Sequence, residues 1–228
     1  MKKILSLALS FALLFAVVAV PAVYAEGEEP PVGETTTEAP AVTTNSLFTD
    51  LTDDHWAYAS IETLVKKGVI NGYEDGTFLP ENQVSRSEFA KMMVLTLGLT
   101  LDSPVESSFA DVDSSAWDAQ YIEAVKAYLT GYTEGEDSLF KGDNAAVRED
   151  LAAALVRALG LEEETVSESA FTDYEDITPE LRDLVQIASQ NKIVNGYPDG
   201  TFLPKNSITR AEAASLLVKV LDFAGLAA

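Results

Sequence analysis

Arginine is scarce in this chain and its placement is regular. Of five arginines, Arg86, Arg148 and Arg210 recur at intervals of 62 residues. A guanidinium is a planar, permanently charged fork that grips carboxylate and phosphate groups through paired N–H donors. Each of the three opens an apolar-periodic segment, at the expected first position of a helix. There the positive end of the helix dipole disfavours a cation by roughly 0.3–1 kcal/mol. The same place exposes backbone amides, and amides beside a guanidinium favour an anion. The alternative is an arginine paired with an acid of a neighbouring repeat, easily arranged among 37 Asp and Glu residues. Both readings stand on the sequence.

Aromatic residues flank these arginines in a similar register. Asp54-His55-Trp56 precedes one amphipathic segment, and Trp117 holds the same place in the next unit. An indole face with a polar edge suits stacking on a sugar ring, the alternative being a half-buried anchor. Gly72-Tyr73, Gly131-Tyr132 and Gly196-Tyr197 recur between the segments. The stretches 71–78 and 195–202 are turn chemistry, in which Asn-Gly and Asp-Gly supply positive φ angles. They lack the alternating ligands and closing Glu of a calcium loop, so turns rather than metal sites are expected and no cofactor is implied.

The elements that must position these groups form an internal repeat. Phe48-Thr49-Asp50, Phe109-Ala110-Asp111 and Phe171-Thr172-Asp173 open three units, and Phe78, Phe140 and Phe202 recur within them. Phe89, Met92, Met93 and Leu97 fall on one helical face, as do Leu151, Ala154, Leu155, Ala158 and Leu159, and Ala213, Leu216, Leu217, Val220 and Leu221. Shorter stripes (Ile61, Leu64, Val65; Ile122, Val125, Leu129; Leu184, Ile187, Ala188) predict a first helix in each unit. The fold class is therefore all-α. Ser85-Arg86-Ser87-Glu88 and Thr209-Arg210-Ala211-Glu212 read as capping boxes, whereas Val147-Arg148-Glu149-Asp150 lacks the capping hydroxyl. Two helices in about sixty residues cannot close a core alone, so the units should pack on one another.

Composition narrows the function. The 228 residues carry 15 Lys and Arg against 37 Asp and Glu, a net charge of −22, which argues against nucleic acid as a partner. With no Cys and one His there is no disulfide framework, thiolate metal site, cysteine nucleophile or histidine-pair metal motif. Lys2 and Lys3 followed by the apolar run 4–20 and small residues to Ala25 predict a signal peptide over 1–25, an uncleaved membrane anchor being the other reading. Residues 26–46, rich in Glu, Pro and Thr, predict a disordered acidic linker.

Phe48-Thr49-Asp50, His55-Trp56-Ala57, the run 68–73, Asp75-Gly76-Thr77-Phe78 and Ser85-Arg86-Ser87-Glu88-Phe89, in order and in three copies, resemble the S-layer homology (SLH) domain. The third copy, over 195–202 and 208–212, resembles it more closely still, and the likeness covers roughly residues 47 to 224. It implies three tandem repeats, 47–107, 108–169 and 170–228, in a pseudo-threefold assembly. It also implies a secreted protein held non-covalently to the bacterial cell wall through a pyruvylated secondary cell-wall polysaccharide. The family's motif arginine maps onto Arg86, Arg148 and Arg210, and a ketal pyruvate carboxylate is the kind of small anion a helix start would take. Family grooves lie between repeats, which makes Trp56, Trp117, Gly72, Gly131 and Gly196 secondary ligand candidates. The missing hydroxyl at Val147, the longer acidic turn after Gly131 and Pro179 in place of a Trp predict unequal sites, with the groove of the second repeat weakest. The expected function is a non-catalytic wall anchor. The alternative is a surface-coat component acting through other surface-layer proteins. A glycoside hydrolase would need a paired carboxylate, and no pair stands out from the solvated faces.

Overall fold

Residues 46–103, 105–162 and 171–226 are described in the computed structural model, so the signal-peptide and linker readings fall outside it. Among these residues there are six α-helices: α1 Tyr58–Lys66, α2 Arg86–Leu97, α3 Ala119–Val125, α4 Arg148–Leu159, α5 Arg182–Gln190 and α6 Arg210–Phe223, with two 3-10 turns, Tyr174–Asp176 and Pro179–Leu181, before α5. The chain is helix-rich, as the periodicity predicts. One departure is a short antiparallel hairpin of β1 Tyr132–Glu134 and β2 Asp137–Leu139, which uses the longer second turn and a positive φ at Gly135. No described helix is long and apolar enough to cross a membrane.

Each long helix begins at the repeating arginine. At α2 and α6 the boxes form in full: Ser85 and Thr209 accept from the amides of Glu88 and Glu212, whose carboxylates return to the cap amides. Val147 gives α4 no side-chain cap. The predicted stripes form the core, with Phe89, Met93, Leu151, Leu155, Ala213 and Leu217 buried. The stripe drifts in α5, where Val185 is buried and Leu184 is only partly so.

Packing is between repeats. α2 lies against α3, α4 against α5 and α6 against α1, so each long helix shelters the first helix of the following repeat and the last shelters that of the first. The segments before the long helices join in the same cyclic order. Ala146 donates to Val84, Val84 to Ile208 and Ile208 to Ala146, at 2.8, 3.1 and 2.9 Å.

The Gly-Tyr glycines have a different role from the one their turn chemistry suggests. Positive φ falls at Gly76 (83°) and Gly200 (84°), the glycines of Asp-Gly, and not at Gly72 or Gly196. Gly72, Gly131 and Gly196 are required by close approach, because the opening Phe ring of each repeat lies against them. A Cβ at Gly131 would meet Phe109 Cε1 at 2.4 Å and the Leu139 carbonyl oxygen at 2.5 Å. Gly131→Ala is therefore expected to cost about 1–3 kcal/mol, the range for overpacking a filled site. Thermal unfolding reads this as a lowered midpoint, and an unchanged midpoint would mean that ring and hairpin shift freely.

Candidate functional site

The three arginines make one arrangement three times, each reaching into the following repeat. Arg86 Nε donates to the Phe140 carbonyl at 2.9 Å and an Nη to the Thr130 carbonyl at 2.7 Å. Arg148 does the same to Phe202 and Asn195 at 2.8 and 3.0 Å, and Arg210 to Phe78 and Asn71 at 2.9 and 2.8 Å. Each guanidinium also lies over the Tyr of the Gly-Tyr pair and over that Phe ring, 4.4–5.1 Å from the centroids.

What presents those carbonyls is the aspartate of the opening motif. Asp50 accepts from the amides of Phe78 and Leu79, Asp111 from Phe140 and Lys141, and Asp173 from Phe202 and Leu203, all at 2.7–2.8 Å. The second residue of each pair is non-glycine with positive φ: Leu79 54°, Lys141 57° and Leu203 55°. A left-handed conformation costs an L-residue roughly 1–2 kcal/mol, which two hydrogen bonds to a carboxylate offset. The bend turns the Phe carbonyl toward the arginine.

The helix starts are not open amide nests. The amides of Arg86, Arg148 and Arg210 donate to the carbonyls of Asn144, Asn206 and Asn82, and those of Ser87, Glu149 and Ala211 to Gly142, Pro204 and Pro80. The expectation that free amides would help hold an anion is thus corrected, since the neighbouring repeat consumes them. What remains is the third edge of each guanidinium, Nη1, and its fate differs among the repeats.

Arg86 is fully buried, and its Nη1 pairs with Asp150 at 2.6 Å. Tyr132 donates its hydroxyl to the same carboxylate oxygen at 2.7 Å. Burial and that hydrogen bond push the Tyr132 phenol up to about 12, against the opposing charge of Arg86, so it stays a donor. Arg148 is less enclosed, with 14% of its side chain exposed and Nη1 3.8 Å from Glu212. Arg210 is part-buried and forms no ion pair among the described residues.

Arg148 opens onto a groove of about 210 Å³ between the third repeat and the start of the first, lined also by Trp56, Asn195, Glu212, Ser215 and Lys219. Trp56 is 62% exposed and stacks on His55. Burial, then the charge of Arg148, hold the Lys219 ammonium below its ordinary range. Lys219 is 3.5 Å from the Ile193 carbonyl, and the Asn195 amide, turned oxygen-first, accepts from it at 3.1 Å. Among the residues lining this groove, the two cations Arg148 and Lys219 face one carboxylate, Glu212, so its charge is net positive. Trp117, 57% exposed, tilts against Tyr121 beside Lys91 and lines a separate, acid-bordered hollow. Gly72, Gly131 and Gly196 lie against Phe rings, and Gly131 also borders a second groove of about 350 Å³.

Lys219 and Asp150 were not among the residues singled out from the sequence. The 62-residue register could have found Lys219, because Arg157 holds the matching place and lines the matching groove. Asp150 stands where Glu88 and Glu212 stand in the other repeats.

A family model described as the S-layer homology domain matches residues 47–90 and 170–214, in the first and third repeats. Amylopullulanase of Thermoanaerobacterium thermosulfurigenes is 34% identical over 185 residues, covering 79% of this chain and 10% of that protein. Exoglucanase XynX of Acetivibrio thermocellus is 31% identical over 77% of this chain and 16% of its own length. S-layer protein sap of Bacillus anthracis is 30% identical over 79% of this chain and 22% of its own. The chain thus spans between a tenth and about a fifth of the lengths of these relatives. Fold, repeats and matches together define a secreted, cell-wall-attached surface protein. More narrowly, it is a tandem S-layer homology domain protein, and these domains are non-catalytic modules that anchor proteins to the cell surface.

Proposed function

We propose that the chain anchors to the wall by holding a pyruvylated secondary cell-wall polysaccharide in grooves between its repeats. The reading takes 47–107, 108–169 and 170–228 as repeats in a pseudo-threefold assembly, supported by the cyclic hydrogen bonding of Val84, Ala146 and Ile208. It takes 1–25 as a signal peptide and 26–46 as an acidic spacer. The observation that carries it is that Arg148, Lys219 and an exposed Trp56 line one groove. A ketal carboxylate would meet the two cations while the sugar ring stacks on the indole. Arg210 offers the next candidate, with no acid within ion-pair distance among the described residues. In the relatives named as enzymes the matched region is a small share of the length, which supports a module distinct from the named activity.

Sedimentation with purified walls tests this. Trp56→Ala and Lys219→Gln change exposed or part-buried side chains and should fold normally, yet weaken wall binding about tenfold or more, as loss of one charge-assisted contact would. Wild-type-like binding by both variants would remove this groove from the function. Walls treated with mild acid to remove ketal pyruvate should no longer bind the unaltered chain. Because Lys219 is easier to deprotonate than a free lysine, binding should fade as pH rises, starting below the ordinary value of 10.5, and Lys219→Arg should extend binding upward. A surface-coat reading is favoured by the S-layer relatives, and self-association in size-exclusion chromatography across concentration would support it.

A further inference from the structure

The geometry points to Asp150 as a built-in occupant of the first arginine site: its carboxylate fills the place that an external carboxylate would take at the other two. Only the idea that these arginines receive a carboxylate is carried over from the proposed function.

The argument begins at residue 147. In α2 and α6 the acid at the third helical position is drawn back by the capping box, with Glu88 accepting from the Ser85 amide at 2.8 Å and Glu212 from Thr209 at 2.9 Å. Val147 offers no hydroxyl to complete such a box, and Asp150 is one methylene shorter than Glu. Its carboxylate closes onto Arg86 Nη1 and the Tyr132 hydroxyl, both on one oxygen at 2.6 and 2.7 Å, whereas the second oxygen of Glu212, held back by its box, stays 3.8 Å from Arg148 Nη1 and 3.3 Å from the Tyr197 hydroxyl. The pairing is placed as a ligand would be. The Arg86 side chain is 1% exposed and that of Asp150 is 15% exposed, so Asp150 stands between Arg86 and solvent. It lines the groove of about 350 Å³ that also holds Tyr132 and Arg157. Thus the sequence departure in the second repeat alters the site of the first repeat's arginine, and Arg148, whose helix carries the departure, keeps its groove.

Removing the carboxylate should expose a site for one from outside. Asp150→Ala should lower the midpoint of thermal unfolding by about 5–15 °C, since it leaves Arg86 buried and unpaired. Sodium acetate at 100 mM, compared with sodium chloride of equal ionic strength, should raise the midpoint of Asp150→Ala by several degrees more than that of the unaltered chain, because the Arg148 and Arg210 sites are common to both and only the Arg86 site is new. An equal response to acetate in both proteins overturns the inference. If Asp150→Ala does not fold, the decision passes to Val147→Thr combined with Asp150→Glu. That variant preserves charge and recreates the capping box of the other repeats, so it should unfold near the wild-type midpoint. Titrated calorimetrically with a methyl glycoside of a ketal-pyruvylated N-acetylhexosamine, it should bind one molar equivalent more than the unaltered chain, and unchanged stoichiometry overturns the inference. Acetate rescue in a chain that ignores pyruvylated walls would retire the polysaccharide reading and leave this one standing.

Discussion

Arg86→Ala is expected to destabilise the repeats by about 3–5 kcal/mol, the range for removing one partner of a buried ion pair. The side chain is fully buried and serves three acceptors at once: the carbonyls of Phe140 and Thr130 and the carboxylate of Asp150. Truncation strands all three and removes the cation lying 4.7–4.8 Å from the Tyr132 and Phe140 ring centroids. Lysine is no remedy, because a point charge cannot serve three directions fixed by a planar fork, so Arg86→Lys should recover little. Arg210→Ala should cost distinctly less, since that side chain is only part-buried and has no carboxylate partner among the described residues. Urea denaturation of the three variants measures these differences, and a loss below about 1 kcal/mol for Arg86→Ala would contradict the burial argument. Failure of Arg86→Ala to bind walls would then report unfolding, whereas failure of Arg210→Ala would report contact with ligand.

The contrast marks where the sequence could be read and where it could not. Register and periodicity are properties of side chains, so the tandem repeats, the helix starts at Arg86, Arg148 and Arg210 and the capping boxes were legible. The partners of the arginines were not, because most are backbone carbonyls, which every residue carries and no sequence pattern distinguishes. For the same reason the helix-start amides could be taken for an anion site when loops of the next repeat already fill them. The absent hydroxyl at Val147 was visible, but its effect falls on an arginine 61 residues earlier, across an inter-repeat contact. The Gly-Tyr glycines misled in a related way. Asn-Gly is a local turn signal, and what requires Gly72 is a Phe ring 24 residues away.

Asp173→Ala tests how far the arginine geometry depends on the opening motif of the repeat. Its carboxylate holds the consecutive amides of Phe202 and Leu203 at 2.8 Å, in a part-buried setting, while Leu203 sits at φ 55°. Hydrogen bonds to a charged group contribute about 1.5–3 kcal/mol each, so with solvent competing the expected loss is about 2–4 kcal/mol. Without the carboxylate Leu203 has reason to leave the left-handed region, and the Phe202 carbonyl would swing away from Arg148 Nε, which it meets at 2.8 Å. Two consequences separate this from a generic loss of stability. Leu203→Gly removes the penalty for positive φ at the same unfolded-chain cost in both backgrounds, so it should favour the wild type, where the carboxylate holds Leu203 left-handed, over Asp173→Ala, where Leu203 is free to leave that region, by up to about 1 kcal/mol. Asp173→Ala and Arg148→Ala should be non-additive by about 0.5–3 kcal/mol in a double-mutant cycle, because both act on one peptide unit. Additive losses would show the clamp and the arginine to be independent, and the aspartate would then hold its turn without aiming the guanidinium into the groove that Trp56 lines.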